Sequence, residues 1–311
     1  MSSAFSSFRS RDHALFLLVL SLLSLARLFV AVQGSGRRLM ESHHNGDLVT
    51  YRNDAVLSGG DIPVSVLWYG RFSPAKKAIV TDFLLSLSAA APEPSVSTWW
   101  SAIDRVHRSG EAVDKTARVV LAGQVSDEGC SLGKRLELSQ LPALAAMARP
   151  AKASGVALVL TAEDVAVEGF CVTRCGAHGS ADARSTRAAA YAWVGNPGTQ
   201  CPGLCARPFL HQPQAPALVV PPNGDAGMDG VVTNVASALV AAVTDPVGEG
   251  DRAAPLDAAG KACPGAYPGY AGELLVDEAT GARYNANGAH GRKYLLPAMF
   301  DPDTSSCNTL V

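Results

Sequence analysis

Apolar and other positions alternate over DIPVSVLWY, with Ile62, Val64, Val66 and Trp68 on one side, and a period of two predicts a strand. Ser73-Pro74 then opens a helix running to about Leu87, with serine as cap and proline in the first turn. STWWSAIDRVHR (97–108) reads as a second helix and ARVVLAGQV (117–125) as a strand. SQLPALAAMAR (139–149) is predicted to be a helix with Pro142 in its first turn. GVALVLT (155–161) is a continuous apolar run, the pattern of a strand covered on both faces, and AAAYAWVG (188–195) is a further strand. In GVVTNVASALVAAVTDP (230–246), Val232, Val235, Ala236, Leu239 and Val243 recur at helical spacing. Proline ends that helix, because its ring cannot continue it. Strands alternating with helices predict a three-layer α/β fold around a mixed sheet.

Two segments depart from this pattern. Arg9 and Arg11 precede an apolar run from Ala14 to Val32, and small residues follow at Gly34 and Ser35. A basic lead, an apolar stretch and small residues predict a signal peptide over 1–34, in preference to a membrane anchor. Residues 35–58 are polar and turn-rich and are expected to be a loosely held leader, with a single domain over 59–311. Within it, residues 247–311 are rich in Gly, Pro, Ala and Tyr, and are expected to wrap the body as loops pinned by disulfides.

Charge narrows the function classes. The whole chain holds 26 basic and 28 acidic residues; without Arg9, Arg11, Arg27 and Asp12 these become 23 and 27. No dense basic run follows Arg37-Arg38, so nucleic-acid binding and an electrostatic membrane grip are unsupported. All seven cysteines lie beyond the leader: Cys130, Cys171, Cys175, Cys201, Cys205, Cys263 and Cys307. An oxidising compartment favours disulfides, and an odd number leaves one thiol over. Cys171/Cys175 and Cys201/Cys205 each form C-x-x-x-C, with His178 and His211 close behind, so structural zinc is the alternative. Disulfides are preferred, because zinc modules space their cysteines more tightly. The connectivity stays open. No Asn-x-Ser/Thr sequon occurs, so N-linked glycan is not expected.

The search for chemistry returns mostly absences. G-x-S-x-G, P-loop, G-x-G-x-x-G and EF-hand patterns are missing. The T-D-P ending of the 230–246 helix is similar to that of the active-site helix of certain zinc peptidases. Such a helix needs two ligands at i and i+4, with a glutamate at i+1 to activate the metal-bound water. Here those places hold Ser237, Ala241 and Ala238, which supply neither ligands nor a base. Either this is a degenerate zincin-like scaffold, or these residues are small because another element packs closely. On both readings the helix does not catalyse, and no cofactor is implied.

Other candidates have structural explanations. Trp68, Trp99, Trp100 and Trp193 could stack on sugars, though core packing is the expected fate of most of them. Asp225 and Asp229 in PNGDAGMDG could hold calcium, but a glycine-rich turn with Asp229 capping the next helix is the simpler expectation. His43, His44, His107 and His290 are scattered, none of them four residues from another.

Several stretches together carry a family likeness: GGDIPVSVLWYGRFSPAKKAIVTDFLLSLS, SLGKRL, CGAHGS, YAWVGNPGTQCPGLC, PNGDAGMDG and the segment from ACPGAYPGY to the end. With the 230–246 helix, they resemble the EXORDIUM, or phosphate-induced protein 1, family of secreted plant proteins, over about 50–311. The resemblance implies an apoplastic or cell-wall protein linked to brassinosteroid-responsive growth, cell expansion, and carbon or phosphate supply. It carries over no catalytic residue. Cys130 departs from the family stretch before S-L-G, which makes it the candidate free thiol. The expectation is a non-catalytic extracellular protein whose partner is another extracellular protein or a wall polysaccharide. The alternatives are a hydrolase derived from a zinc-peptidase scaffold and a carbohydrate-binding wall protein.

Overall fold

Three strands that are apolar on both faces organise the molecule. The computed structural model describes residues 60–107, 117–148, 155–180, 190–209, 219–244, 274–301 and 306–308, all within the unit Thr50–Val311. In chain order the elements are β1 (Asp61–Tyr69), α1 (Pro74–Ser86), α2 (Val96–His107), β2 (Arg118–Asp127), β3 (Arg135–Leu136), α3 (Leu141–Met147), β4 (Val156–Thr161) and β5 (Ala166–Val167). They continue with β6 (Gly176–Ser180), β7 (Ala190–Gly195), α4 (Pro202–Cys205), α5 (Ala226–Thr244), β8 (Leu275–Val276), β9 (Arg283–Tyr284), β10 (Ala286–Asn287), β11 (Lys293–Tyr294), β12 (Met299–Asp301) and β13 (Ser306–Asn308).

The main sheet runs β2-β1-β4-β7-β6, parallel except for β6, which lies antiparallel to β7. β4 is buried at every position and β1 at all but its first, because neighbouring strands and helices cover both. From β1 the chain steps outward through α1 and α2 to β2, then returns past β1 through α3 to β4. Right-handed parallel crossovers of this kind, stepping in opposite directions, lead to helices on opposite faces of a sheet. The expected α/β fold around a mixed sheet is therefore present.

Local chemistry sets the helix ends. The Ser73 side chain accepts from Lys76 N at 3.3 Å, and Pro74 occupies the first turn of α1. The expected helix over 139–149 instead begins as a 3-10 turn at Leu138–Gln140, where Glu137 N donates to the Gln140 side chain, and α3 follows it. α5 is long and apolar enough to cross a membrane, yet most of it lies inside the protein. Its Gly230 passes close to α4: a Cβ there would stand 2.7 Å from Ala206 Cα.

The described part of the tail, 274–301, packs onto the body. Tyr294 meets Phe83 edge to face at 5.5 Å and donates to Ile79 O. Trp99 Nε1 donates to Pro297 O, and Thr233 Oγ1 to Leu295 O. The described disulfides lie elsewhere: Cys171–Cys201 and Cys175–Cys205 join the turn before β6 to α4 and the residue before it. Cys263 lies outside the described residues, and Cys307 is described only as backbone of β13.

Candidate functional site

In a parallel sheet the carboxyl ends of all strands lie on one edge, and ligands gather where adjacent strands lead away in opposite directions. Here that point falls between β1, which leads to β2, and β4, which leads to β7. Beside it opens a crevice of about 340 Å³ lined by Gly70, Arg71, Glu128, Gly129, Cys130, Lys134 and Asp164. These residues follow β1, β2 and β4, so the sheet order alone brings them together.

The walls are rigid for identifiable reasons. Gly70 has φ +94°, and a Cβ on it would lie 2.6 Å from Ala162 Cβ, so only glycine turns the chain there. Its N–H donates to Asp127 O at 2.9 Å. One Asp127 carboxylate oxygen accepts from Ser131 N and Oγ, at 2.9 and 2.6 Å. Tyr69 OH donates to Gly133 O at 2.7 Å and accepts from Leu132 N at 2.9 Å. Cys130, at φ +53°, turns the middle of this loop. Loop 127–133 is thus tied to the end of β1 at both its start and its finish.

The charges around the opening fall into two kinds. Lys134 and Asp164 form an ion pair, which raises the lysine pKa and lowers that of the aspartate. Neither Arg71 nor Glu128 has a hydrogen-bond or ion-pair partner among the described residues. Cys130 carries a free, buried thiol, whose pKa burial pushes up.

A second cleft, of about 620 Å³, lies beside the start of α5 and is lined by Asp82, Asn223, Asp277, His290, Arg292 and Lys293, among others. Its charges are already matched: Asp82 takes both Arg292 and His290, and Asp277 takes Lys293 at 2.8 Å. Behind it, Asp229 accepts from Asn223 N at 2.9 Å and Asn223 Nδ2 at 2.6 Å. Asn223 in turn donates to Lys293 O and accepts from Arg292. Burial pushes the Asp229 carboxyl up to about 7, against the lowering effect of Asn223. This network clasps the tail to α1 and α5.

The residues singled out from sequence scatter. Ser237 Oγ donates to Thr233 O at 3.2 Å, Ala238 is buried and Ala241 half-buried on α5, so these three line neither cleft. The cap of α5 is Asp225, whose carboxylate accepts from Met228 N at 3.0 Å; Asp229, expected in that role, is instead buried one turn on. All four tryptophans are at most 2 % exposed, which removes them as a sugar-stacking face. Their indole N–H groups donate to Gln124 Oε1, Pro297 O, Ala117 O and Thr161 Oγ1 in turn. Both C-x-x-x-C motifs are consumed by the two disulfides, which overturns the zinc alternative for those four thiols. His178 lies on β6; His43, His44 and His211 fall outside the described residues, and of His107 only the backbone is described. Sequence reasoning missed Arg71, Glu128, Lys134 and Asp164, although Arg71, Glu128 and Asp164 each lie just past a strand end it had located.

Comparison with known proteins adds a broad likeness. The sequence profile of the phosphate-induced protein 1 conserved region matches residues 49–310. Protein PHOSPHATE-INDUCED 1 of Nicotiana tabacum is 48 % identical over 283 residues, covering 85 % of this chain and 88 % of the relative. Protein EXORDIUM of Arabidopsis thaliana is 44 % identical over 321 residues, covering 96 % of this chain and 100 % of the relative. Protein EXORDIUM-like 1 of Arabidopsis thaliana is 46 % identical, covering 84 % and 89 %. No solved structure matches.

Proposed function

Since this chain belongs to the phosphate-induced protein 1 family, we propose that it acts outside the cell as a non-catalytic protein of plant growth and cell expansion. The observation that carries the location is the pair of disulfides, Cys171–Cys201 and Cys175–Cys205, since such bonds persist in oxidising compartments. The basic and apolar leader over 1–34 fits the same compartment as a cleaved signal. The family resemblance supports a place in the apoplast or cell wall and a link to brassinosteroid, carbon or phosphate status. The partner in this reading is an extracellular protein or a wall polysaccharide, with no nucleic acid and no lasting membrane insertion.

The non-catalytic part rests on α5. Ser237, Ala238 and Ala241 offer a metal no imidazole or carboxylate and a water no base. Descent from a zinc-peptidase helix would account for T-D-P; close packing, which α5 has at Gly227 and Gly230, would account for small residues on this helix without that ancestry. A wash of the apoplast from plants expressing the full chain tests the location. The recovered protein is expected to begin near Gly34 or Ser35 and to carry both disulfides when its intact mass is read without reduction. Protein recovered only from the cytosol, with Met1 or its acetylated form and reduced cysteines, would contradict this reading.

A further inference from the structure

We propose that the crevice at the carboxyl edge of the sheet binds a small zwitterion of the α-amino acid class, its carboxylate on Arg71 and its ammonium on Glu128. Four charges surround the opening, and they balance. Lys134 and Asp164 neutralise one another and act as a wall. Arg71 and Glu128, of opposite sign, form no hydrogen bond or ion pair among the described residues, although the Arg71 charge also helps to lower the Asp164 pKa. A simple anion entering here would meet Glu128 as well as Arg71, and a simple cation would meet the reverse. A ligand with both charges satisfies both groups at once. Arginine suits the carboxylate end, because its planar fork makes two parallel hydrogen bonds.

Size and rigidity agree with this assignment. A volume of about 340 Å³ lies at the small end of ligand clefts. The Asp127–Ser131 and Tyr69–Gly133 bonds fix the loop in advance, so a ligand would not have to order it. The location is that which an open α/β sheet favours for ligands. None of this depends on where the protein acts or on whether it catalyses.

Cys130 provides a readout local to the site, since its thiol lines the same crevice. The experiment titrates purified full-length protein with the twenty L-amino acids, individually, by calorimetry. In parallel it follows iodoacetamide labelling of Cys130 by peptide mass spectrometry, at about pH 8.5 and for long enough that this buried thiol is measurably alkylated in the unliganded protein. At least one amino acid is expected to bind saturably and slow Cys130 labelling, while acetate and methylamine, which carry one charge each, do neither. Arg71→Gln and Glu128→Gln should each weaken that binding roughly 10- to 100-fold, the usual effect of losing a charged hydrogen bond. Both residues lie at the crevice mouth, and a melting curve of each variant checks that it folds. The proposal is overturned if no amino acid binds at millimolar concentration, if binding leaves Cys130 labelling unchanged, if acetate or methylamine protects equally, or if both folded variants bind like the parent.

Discussion

Removal of both described disulfides, by Cys171→Ala, Cys175→Ala, Cys201→Ala and Cys205→Ala together, should cost about 6 kcal/mol of unfolding free energy. The two bridges run in register, each joining residues 30 positions apart. Either alone closes a loop of that length in the unfolded chain, worth about 3 to 4 kcal/mol in the loop-entropy account. With one in place, the second closes only the short ring through 171–175 and 201–205, worth about 2 to 3 kcal/mol. The single-pair variants should therefore lose about that smaller amount each, and the quadruple variant about 1 kcal/mol more than their sum. A loss of that size approaches the whole stability of an ordinary domain, so the quadruple variant should be largely unfolded in buffer. Urea titration of the three variants checks this. Simple additivity would contradict the geometry described for the staples.

Asp229→Asn is expected to flatten the dependence of stability on pH. The carboxyl is buried behind the clasp, and its pKa rises from an ordinary 3.8 to about 7. Between those values the folded chain holds a proton that the unfolded chain has released. Stability from this group is thus full below about 3.8 and is lost as pH rises through about 7. From about pH 5 to pH 8 the loss amounts to about 3 kcal/mol, at about 1.4 kcal/mol per unit. Asparagine carries no charge to bury, although one of the two Asn223 donors loses its acceptor at a cost of about 1 kcal/mol. Asp225 and Arg292, the charged neighbours of Asp229, and the Asp82–His290 pair are present in both proteins. Denaturant melts across that range should show the variant gaining on the parent by about 3 kcal/mol towards the alkaline end. Parallel profiles would contradict the buried, proton-holding carboxyl.

Periodicity made β1, β4, β7, α1 and α5 legible, because each buries a face whose pattern the sequence repeats. β6 was not legible, since GAHGS has no apolar rhythm. It is held at the sheet edge by neighbours: a Cβ on Gly176 would meet Trp193 O at 2.6 Å, and one on Gly179 would meet the Tyr191 ring at 3.0 Å. The disulfides next to β6 were legible as cysteines but not as pairs, because two C-x-x-x-C motifs close equally well within or across. The crevice was harder still. Arg71, Glu128, Lys134 and Asp164 are single charges spread over three loops, and only the order β2-β1-β4 gathers them. The Asp225/Asp229 exchange has a simpler cause. α5 begins four residues before Gly230, where Ala226, Gly227 and Met228 gave no periodic signal.

The most direct measurement is turnover and metal content in protein purified from its native host. Peptide and wall-glycan substrates should remain uncut above the buffer rate, with zinc well below one atom per chain by elemental analysis. Hydrolysis that a chelator abolishes and zinc restores would place a working metal centre in this protein and contradict the proposal that it acts without catalysis.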